Sequence, residues 1–192
     1  VLTPEKENIA YSVNTNVSYN AIGCVYKKVS GVLRVAKQIV TSEYIWDNIR
    51  LKGGAYGGGC GFLNGNYFYM YSYRDPNVNK SYEVFKNVGN YLSEIDMDQK
   101  HLNRFIIGAV NVEDAPLKNN RINSIVLRRH YNGVTQERLD LRREEMLSVS
   151  INDIREVGQE LTTAMENIVM STVSDQTSIE KSELFKNIIV VK

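Results

Sequence analysis

The chemistry-bearing residues of this chain gather around one arginine and one tyrosine. Arg50 and Tyr56 bracket the start of a glycine-rich stretch, Arg50-Leu51-Lys52-Gly53-Gly54-Ala55-Tyr56-Gly57-Gly58-Gly59-Cys60-Gly61, and seven of the chain's 13 glycines lie between positions 53 and 65. Arginine carries five N–H donors in a rigid fork suited to a carboxylate or a peptide carbonyl. A tyrosine hydroxyl can donate to an oxyanion that develops in a transition state, where one such donor is worth about 2.7–4 kcal/mol of barrier. Glycine loses more backbone freedom on folding than any other residue, so a cluster of it needs a geometric reason. Two reasons fit: a helix end running into a hairpin, or a backbone that approaches a ligand closely with a cation and a phenol aimed at it. In the second, Gly53, Gly54, Gly57 and Gly58 are the candidate substrate-contacting positions.

Other chemistries find less support. Glycines that cradle phosphate follow a strand and open a helix. These follow a helical pattern and open a strand, with no G-K-[ST] and no G-x-G-x-x-G. Cys60 has no nearby histidine partner in sequence and reads as a small strand residue rather than a nucleophile. His101 and His130 are isolated, and neither H-x-x-E-H, H-E-x-x-H nor C-x-x-C occurs. No metal site is therefore expected from this chain's own residues. Cys24 and Cys60 are expected as reduced thiols, which suits a cytoplasmic setting. Val1 to Asn8 show neither the basic nor the apolar region of a signal peptide.

The bulk numbers bound the class. A chain of 192 residues, 43% hydrophobic and 23% charged, can bury a core and is expected to form one domain over 1–192. A net charge of +1 gives no electrostatic footprint for nucleic acid or an anionic membrane, and no apolar run is long enough to span a bilayer.

Several elements must position Arg50 and Tyr56. Ile9 to Tyr26 reads as one bent strand or a strand pair, with Tyr11, Val13, Val17, Tyr19 and Ala21 on one parity and Asn14, Asn16 and Ser18 on the other. An amphipathic helix follows from Ser30-Gly31 to about Arg50, and Gly53 is placed to take the left-handed stop. Ala55–Phe62 and Tyr67–Tyr73 form a hairpin around Asn64-Gly65, with Tyr67, Tyr69, Tyr71 and Tyr73 on one face. Those tyrosines fit either a cross-strand packing stripe or an aromatic recognition platform. Arg74-Asp75-Pro76-Asn77 ends the hairpin. Helical stripes follow at Tyr82/Phe85/Val88/Leu92 and Leu102/Phe105/Ile106/Ala109/Val112. Another is led by Pro116 and includes Ile122, Ile125 and Val126, stopped at Gly133. Thr135 and Ser150 are expected to cap the next two helices, before strands at Ile168–Val173 and Ile188–Val191. This order predicts an α+β fold, an antiparallel or mixed sheet with helices packed on one face.

The two motifs together, Arg50-x-Lys52-Gly53-Gly54-Ala55-Tyr56-Gly57-Gly58-Gly59 and Tyr71-Ser72-Tyr73-Arg74-Asp75-Pro76-Asn77, resemble the pitrilysin/insulysin-type zinc metallopeptidases, and most closely their presequence-protease branch. The resemblance covers most of the chain. It implies the last of about four similar α+β domains, which form two bowl-like halves around an enclosed chamber. The zinc and its inverted H-x-x-E-H motif belong to the first domain, so zinc is the cofactor of the full-length enzyme and not of this chain. The resemblance maps an active-site Arg and Tyr of the C-terminal half onto Arg50 and Tyr56, with Tyr56 on the tetrahedral oxyanion and Arg50 on a substrate carbonyl. It implies peptide substrates, the N-terminal half of the same polypeptide as partner, and a domain that is inactive alone. The alternative is a non-catalytic paralogue of the same fold that retains only a peptide-binding or structural surface.

Overall fold

In a computed structural model of the chain, residues 7–26, 30–63 and 66–191 are described. The Asn64-Gly65 turn lies outside them. Strands β1 (Ile9–Ser12), β2 (Ser18–Val25), β3 (Gly57–Leu63), β4 (Tyr67–Asp75), β5 (Val169–Ser174) and β6 (Asn187–Val190) lie in one sheet, in the order β3-β4-β2-β5-β1-β6. The sheet is mixed. β2 runs antiparallel to both β4 and β5, β3 antiparallel to β4, and β1 parallel to both β5 and β6. Helices cover one face, as the element order predicts.

The Ile9–Tyr26 segment is neither one bent strand nor a hydrogen-bonded pair but two strands separated in the sheet by β5, and its apolar parity faces outward. Ser18 and Asn20 are buried while Tyr19 and Ala21 are exposed. The inward polar groups are hydrogen-bonded. Ser18 Oγ meets Ser174 Oγ at 2.8 Å, and Asn20 Oδ1 accepts from Thr172 Oγ1 at 2.8 Å. Burial of such groups is tolerated because each has a partner. The partners come from positions about 150 residues away, which is why alternation within the segment alone did not reveal the orientation.

The long helix is wound in two ways. α1 (Gly31–Ile39) is α-helical, and Val40–Leu51 continues it as a π-helix. The wider winding ends with Lys52 N–H donating to Asp47 O at 2.9 Å, five residues back. Leu33, Val35, Ile39, Ile45 and Ile49 are buried, the Val40–Leu51 part packing on β3 and α1 against the helices Gln99–Glu113, Gln136–Leu147 and Ile151–Ala164. The left-handed stop falls at Gly54 (φ 78°), one residue later than expected at Gly53.

Then come α2 (Asn79–Lys86), α3 (Val88–Ser93), α4 (Gln99–Glu113), α5 (Asn119–Tyr131), α6 (Gln136–Leu147) and α7 (Ile151–Ala164), with α8 (Gln176–Ser182) after β5. The stripe Tyr82/Phe85/Val88/Leu92 is buried, as are Leu102, Phe105, Ile106 and Ala109. The Ser150–Asp153 capping box forms at the start of α7, and Thr135 accepts from Arg138 N–H at the start of α6. Two expectations change. Val112 is exposed, and no residue of α5 is buried. The apolar period there marks a helix whose Ile122 and Val126 face outward rather than into this core.

Candidate functional site

The site is built on an irregularity in β4. Ser18 pairs with Asp75 and Asn20 with Ser72. Between those pairs β2 has only Tyr19, whereas β4 has Tyr73 and Arg74, so β4 bulges. Arg74 takes φ 49°, a left-handed conformation that costs a residue with a Cβ about 1 kcal/mol or more. The bulge shifts the parity of the strand and turns Asp75 into the interior, where it is fully buried.

Asp75 then organises the loop opposite. Its Oδ1 accepts from Asn77 N–H at 2.9 Å, and its Oδ2 accepts from Ser81 Oγ at 2.6 Å and Asn20 Nδ2 at 3.3 Å. Asn77, oriented by that contact, donates its side-chain amide to Gly53 O at 2.6 Å. Gly54 N–H reaches Arg50 O at 3.0 Å and Ala55 N–H reaches Ile49 O at 3.1 Å. The turn that separates Arg50 from Tyr56 is thus fixed both to the end of the helix and to the buried carboxylate. Sequence reasoning read Asp75 and Asn77 only as turn formers. The signal that could have found them was their recurrence beside the glycine motif.

Arg50 and Tyr56 are both exposed. The Arg50 guanidinium lies 4.1 Å from the Trp46 ring centre, one helical turn earlier. That contact holds the cation while leaving its N–H fork available. Tyr56 is 62% exposed. Its N–H donates to Arg74 O at 3.3 Å, its ring meets Tyr73 edge-on at 5.6 Å, and the Arg74 guanidinium lies 5.7 Å from its ring centre. Arg74 is therefore a third polar group at the site that sequence reasoning did not select.

The candidate glycines have different surroundings. A Cβ on Gly53 would stand 2.5 Å from Ile49 O, and one on Gly58 would stand 2.7 Å from Tyr71 O. Gly57 lies under the Tyr73 ring, where a Cβ would be 2.6 Å from it. Gly54 needs its hydrogen side chain for the positive φ. The tyrosine parity is as read: Tyr69, Tyr71 and Tyr73 stack with ring centres 6.3 and 6.4 Å apart.

The remaining titratable groups lie elsewhere. Cys60 is buried under the helix against Thr41 Oγ1 at 3.5 Å and Lys37 O at 3.8 Å. Burial pushes its thiol up to about 11, so almost no thiolate forms at neutral pH. Cys24 is likewise a buried free thiol pushed to about 11 by burial. His101 in α4 pairs with Glu43 at 2.7 Å, while His130 in α5 packs edge-on against Tyr131. Among the described residues no group of His, Cys, Asp or Glu is arranged to hold a metal ion. Among them, too, no helix is long and apolar enough to cross a membrane.

The sheet and its single helical face have the fold of M16 peptidase domains. The fold superimposes on a peptidase M16 inactive domain from Pseudomonas fluorescens with a TM-score of 0.66 at 11% identity, covering 89% of this chain and 44% of that one. It also superimposes on a protease from Helicobacter pylori with a TM-score of 0.67 at 11% identity, covering 89% and 45%. More particularly, residues 8–176 match the PreP C-terminal domain family, and the chain belongs to it. Relatives include presequence protease 1, chloroplastic/mitochondrial, of Arabidopsis thaliana, 32% identical over 93% of this chain and 18% of that protein. Protein HypA of Clostridium perfringens is 30% identical over 95% of this chain and 19% of its own length. The chain thus spans under a fifth of these relatives.

Proposed function

We propose that this chain is the C-terminal, chamber-lining part of a zinc metalloendopeptidase that degrades peptides, and that it supplies Arg50 and Tyr56 to an active site completed by the N-terminal half of the same polypeptide. The observation that carries this reading is the pair itself: two exposed groups with complementary chemistry at the two ends of a turn anchored to a buried carboxylate. Preorganised donors stabilise developing charge because they need not reorganise during the reaction.

In this reading the Tyr56 hydroxyl donates to the oxyanion of the tetrahedral intermediate. The Arg50 fork holds a neighbouring substrate carbonyl and fixes the peptide register. Gly53, Gly54, Gly57 and Gly58 would meet the peptide through their backbone, the space a side chain would take at Gly53, Gly57 and Gly58 being filled by Ile49 O, the Tyr73 ring and Tyr71 O. Zinc, held by the N-terminal half, would polarise the scissile carbonyl and activate water. Closure of the halves would exclude solvent from both groups. Membership of the PreP C-terminal domain family supports this assignment.

The test is Tyr56→Phe in the full-length protein, assayed on an unstructured peptide. We expect kcat to fall about 100-fold or more, as for loss of an oxyanion donor, with the melting temperature unchanged. Unaltered turnover would reject the role of Tyr56. A full-length protein with no peptidase activity but retained peptide binding would leave the non-catalytic paralogue.

A further inference from the structure

The face of the sheet opposite the helices has an unusual composition. The register places the odd-numbered positions of all six strands on that face, in β4 up to the bulge. Not one of them is Asp, Glu, Lys or Arg, although the chain is 23% charged. Six are tyrosines: Tyr11, Tyr19, Tyr67, Tyr69, Tyr71 and Tyr73. Tyr19, Tyr67 and Tyr71 are exposed large side chains, at 45%, 53% and 39%. An antiparallel sheet with one solvated face normally carries polar, charged residues on it, and extended uncharged exposed surface marks a place of interaction.

Geometry narrows the occupant. Tyr69, Tyr71, Tyr73 and Tyr56 form an unbroken series of ring contacts, so the ladder leads directly to the Arg50–Tyr56 turn. Its rungs, 6.3 and 6.4 Å apart, match the roughly 6.6 Å between same-side residues of an extended peptide. The rings lie across Gly57, Gly59 and Gly61 of β3, where a Cβ would meet them at 2.6–2.9 Å. Those glycines let the phenols lie down over the edge strand and present a broad surface.

We infer that this tyrosine ladder is a substrate-binding surface that seats an extended peptide along β4, with successive same-side residues stacking on successive rings as the chain enters the Arg50–Tyr56 site. The inference rests on the peptidase reading for its ligand. The chemistry favours aromatic and arginine side chains, which stack on phenols or meet their faces as cations. It disfavours acidic ones along β4, because no strand position of that face carries a cation and the nearest, Arg50 and Arg74, stand only at the Tyr56 end.

The experiment uses the 192-residue chain and two twelve-residue peptides measured by calorimetry. One alternates phenylalanine and arginine with serine, and the other has glutamate in place of arginine. The first should bind about tenfold more tightly. Tyr71→Ser and Tyr67→Ser should each weaken it about fivefold, while Ile189→Ser, on the same face but on the far edge strand, should leave it unchanged. A thermal melt confirms that each variant is folded. Equal binding of the two peptides, or equal binding by all variants, would overturn the inference. A chain that sediments as a dimer and becomes a monomer on Tyr71→Glu would assign the face to self-association and overturn it too. These outcomes are separable from those of the Tyr56→Phe assay. Flat peptide binding alongside lost turnover removes only the ladder, whereas ladder-dependent binding alongside unaltered turnover removes only the catalytic role.

Discussion

The side-chain amide of Asn77 donates to the carbonyl oxygen of Gly53 across 2.6 Å. This bond joins the end of the hairpin to the turn between Arg50 and Tyr56. Because Asn77 N–H is itself held by Asp75, the turn is anchored at second hand to a carboxylate inside the protein.

Asn77→Ala removes that anchor without touching Arg50 or Tyr56. The loss of one hydrogen bond predicts a destabilisation of about 1 kcal/mol. A turn free to drift should reduce full-length turnover by more than that stability change implies, since small displacements of catalytic groups are costly. Urea denaturation and steady-state kinetics on the same variant measure the two effects. Wild-type kcat would argue that the turn holds its shape through the helix end alone.

Asp75→Ala should be far more damaging. It leaves Asn77 N–H and Ser81 Oγ without their acceptor in a buried site, while Asn20 Nδ2 keeps Asn77 O and Ser72 Oγ. Stranded buried donors of this kind predict a loss of about 3 kcal/mol or more. Asp75→Asn keeps the shape and one acceptor and should recover part of it. The ranking of the two denaturation midpoints checks the argument.

The legibility of this fold in its sequence follows the range of the interactions. The hairpin, the helix leading to Arg50, the tyrosine parity and the Ser150 cap all rest on neighbours within a few residues, and the sequence showed them. The orientation of β2 rests on Thr172 and Ser174, and the inward turn of Asp75 rests on a bulge opposite Tyr19. Neither has a local signature. The exposure of α5 was hidden for a different reason, since an apolar period shows that a face is covered without showing what covers it. At the site, Arg50 and Tyr56 were legible as chemistry, whereas Arg74, Asp75 and Asn77 act through conformation and hydrogen bonding and were read only as punctuation.

Gly54 tests where the helix stop falls. Its φ of 78° predicts that Gly54→Ala costs about 1 kcal/mol, and that Gly54→Asn, which tolerates the left-handed region better, costs less. Pro76 Cγ would lie 3.5 Å from an added Cβ, an ordinary contact, so strain and not collision sets the cost. Equal melting temperatures for wild type and Gly54→Ala would contradict this.

The buried thiols predict an alkaline weakening. Cys24 and Cys60 are each raised from 9.0 to about 11 by burial, so the folded state holds protons that the unfolded state releases first. A raised folded value gives stability that is complete below about pH 9 and is lost as pH rises through about 11. At 1.36 kcal/mol per unit, the Cys60 thiol contributes on the order of 2–3 kcal/mol to that window, and Cys24 adds a smaller amount in the same direction. Denaturation curves between pH 8 and 11 should show the decline, and Cys60→Ala should flatten the slope whatever it does to stability at neutral pH. A slope unchanged by the substitution would show that Cys60 titrates normally in the fold.

Arg74 offers the sharpest separation of stability from function. Its φ of 49° is conformational strain that glycine would relieve, so Arg74→Gly should raise stability by about 0.5–1 kcal/mol. Its guanidinium is also the cation that faces the Tyr56 ring, and its carbonyl receives Tyr56 N–H. Glycine keeps the carbonyl and loses the cation. A variant that melts higher yet turns over more slowly would mean that the strained arginine is retained for what its side chain does beside Tyr56. Arg74→Lys, which keeps charge and strain, should then recover activity but not the gain in melting temperature. If Arg74→Gly is more stable and fully active, the bulge serves only to turn Asp75 inward, and the Arg74 side chain has no part in the site.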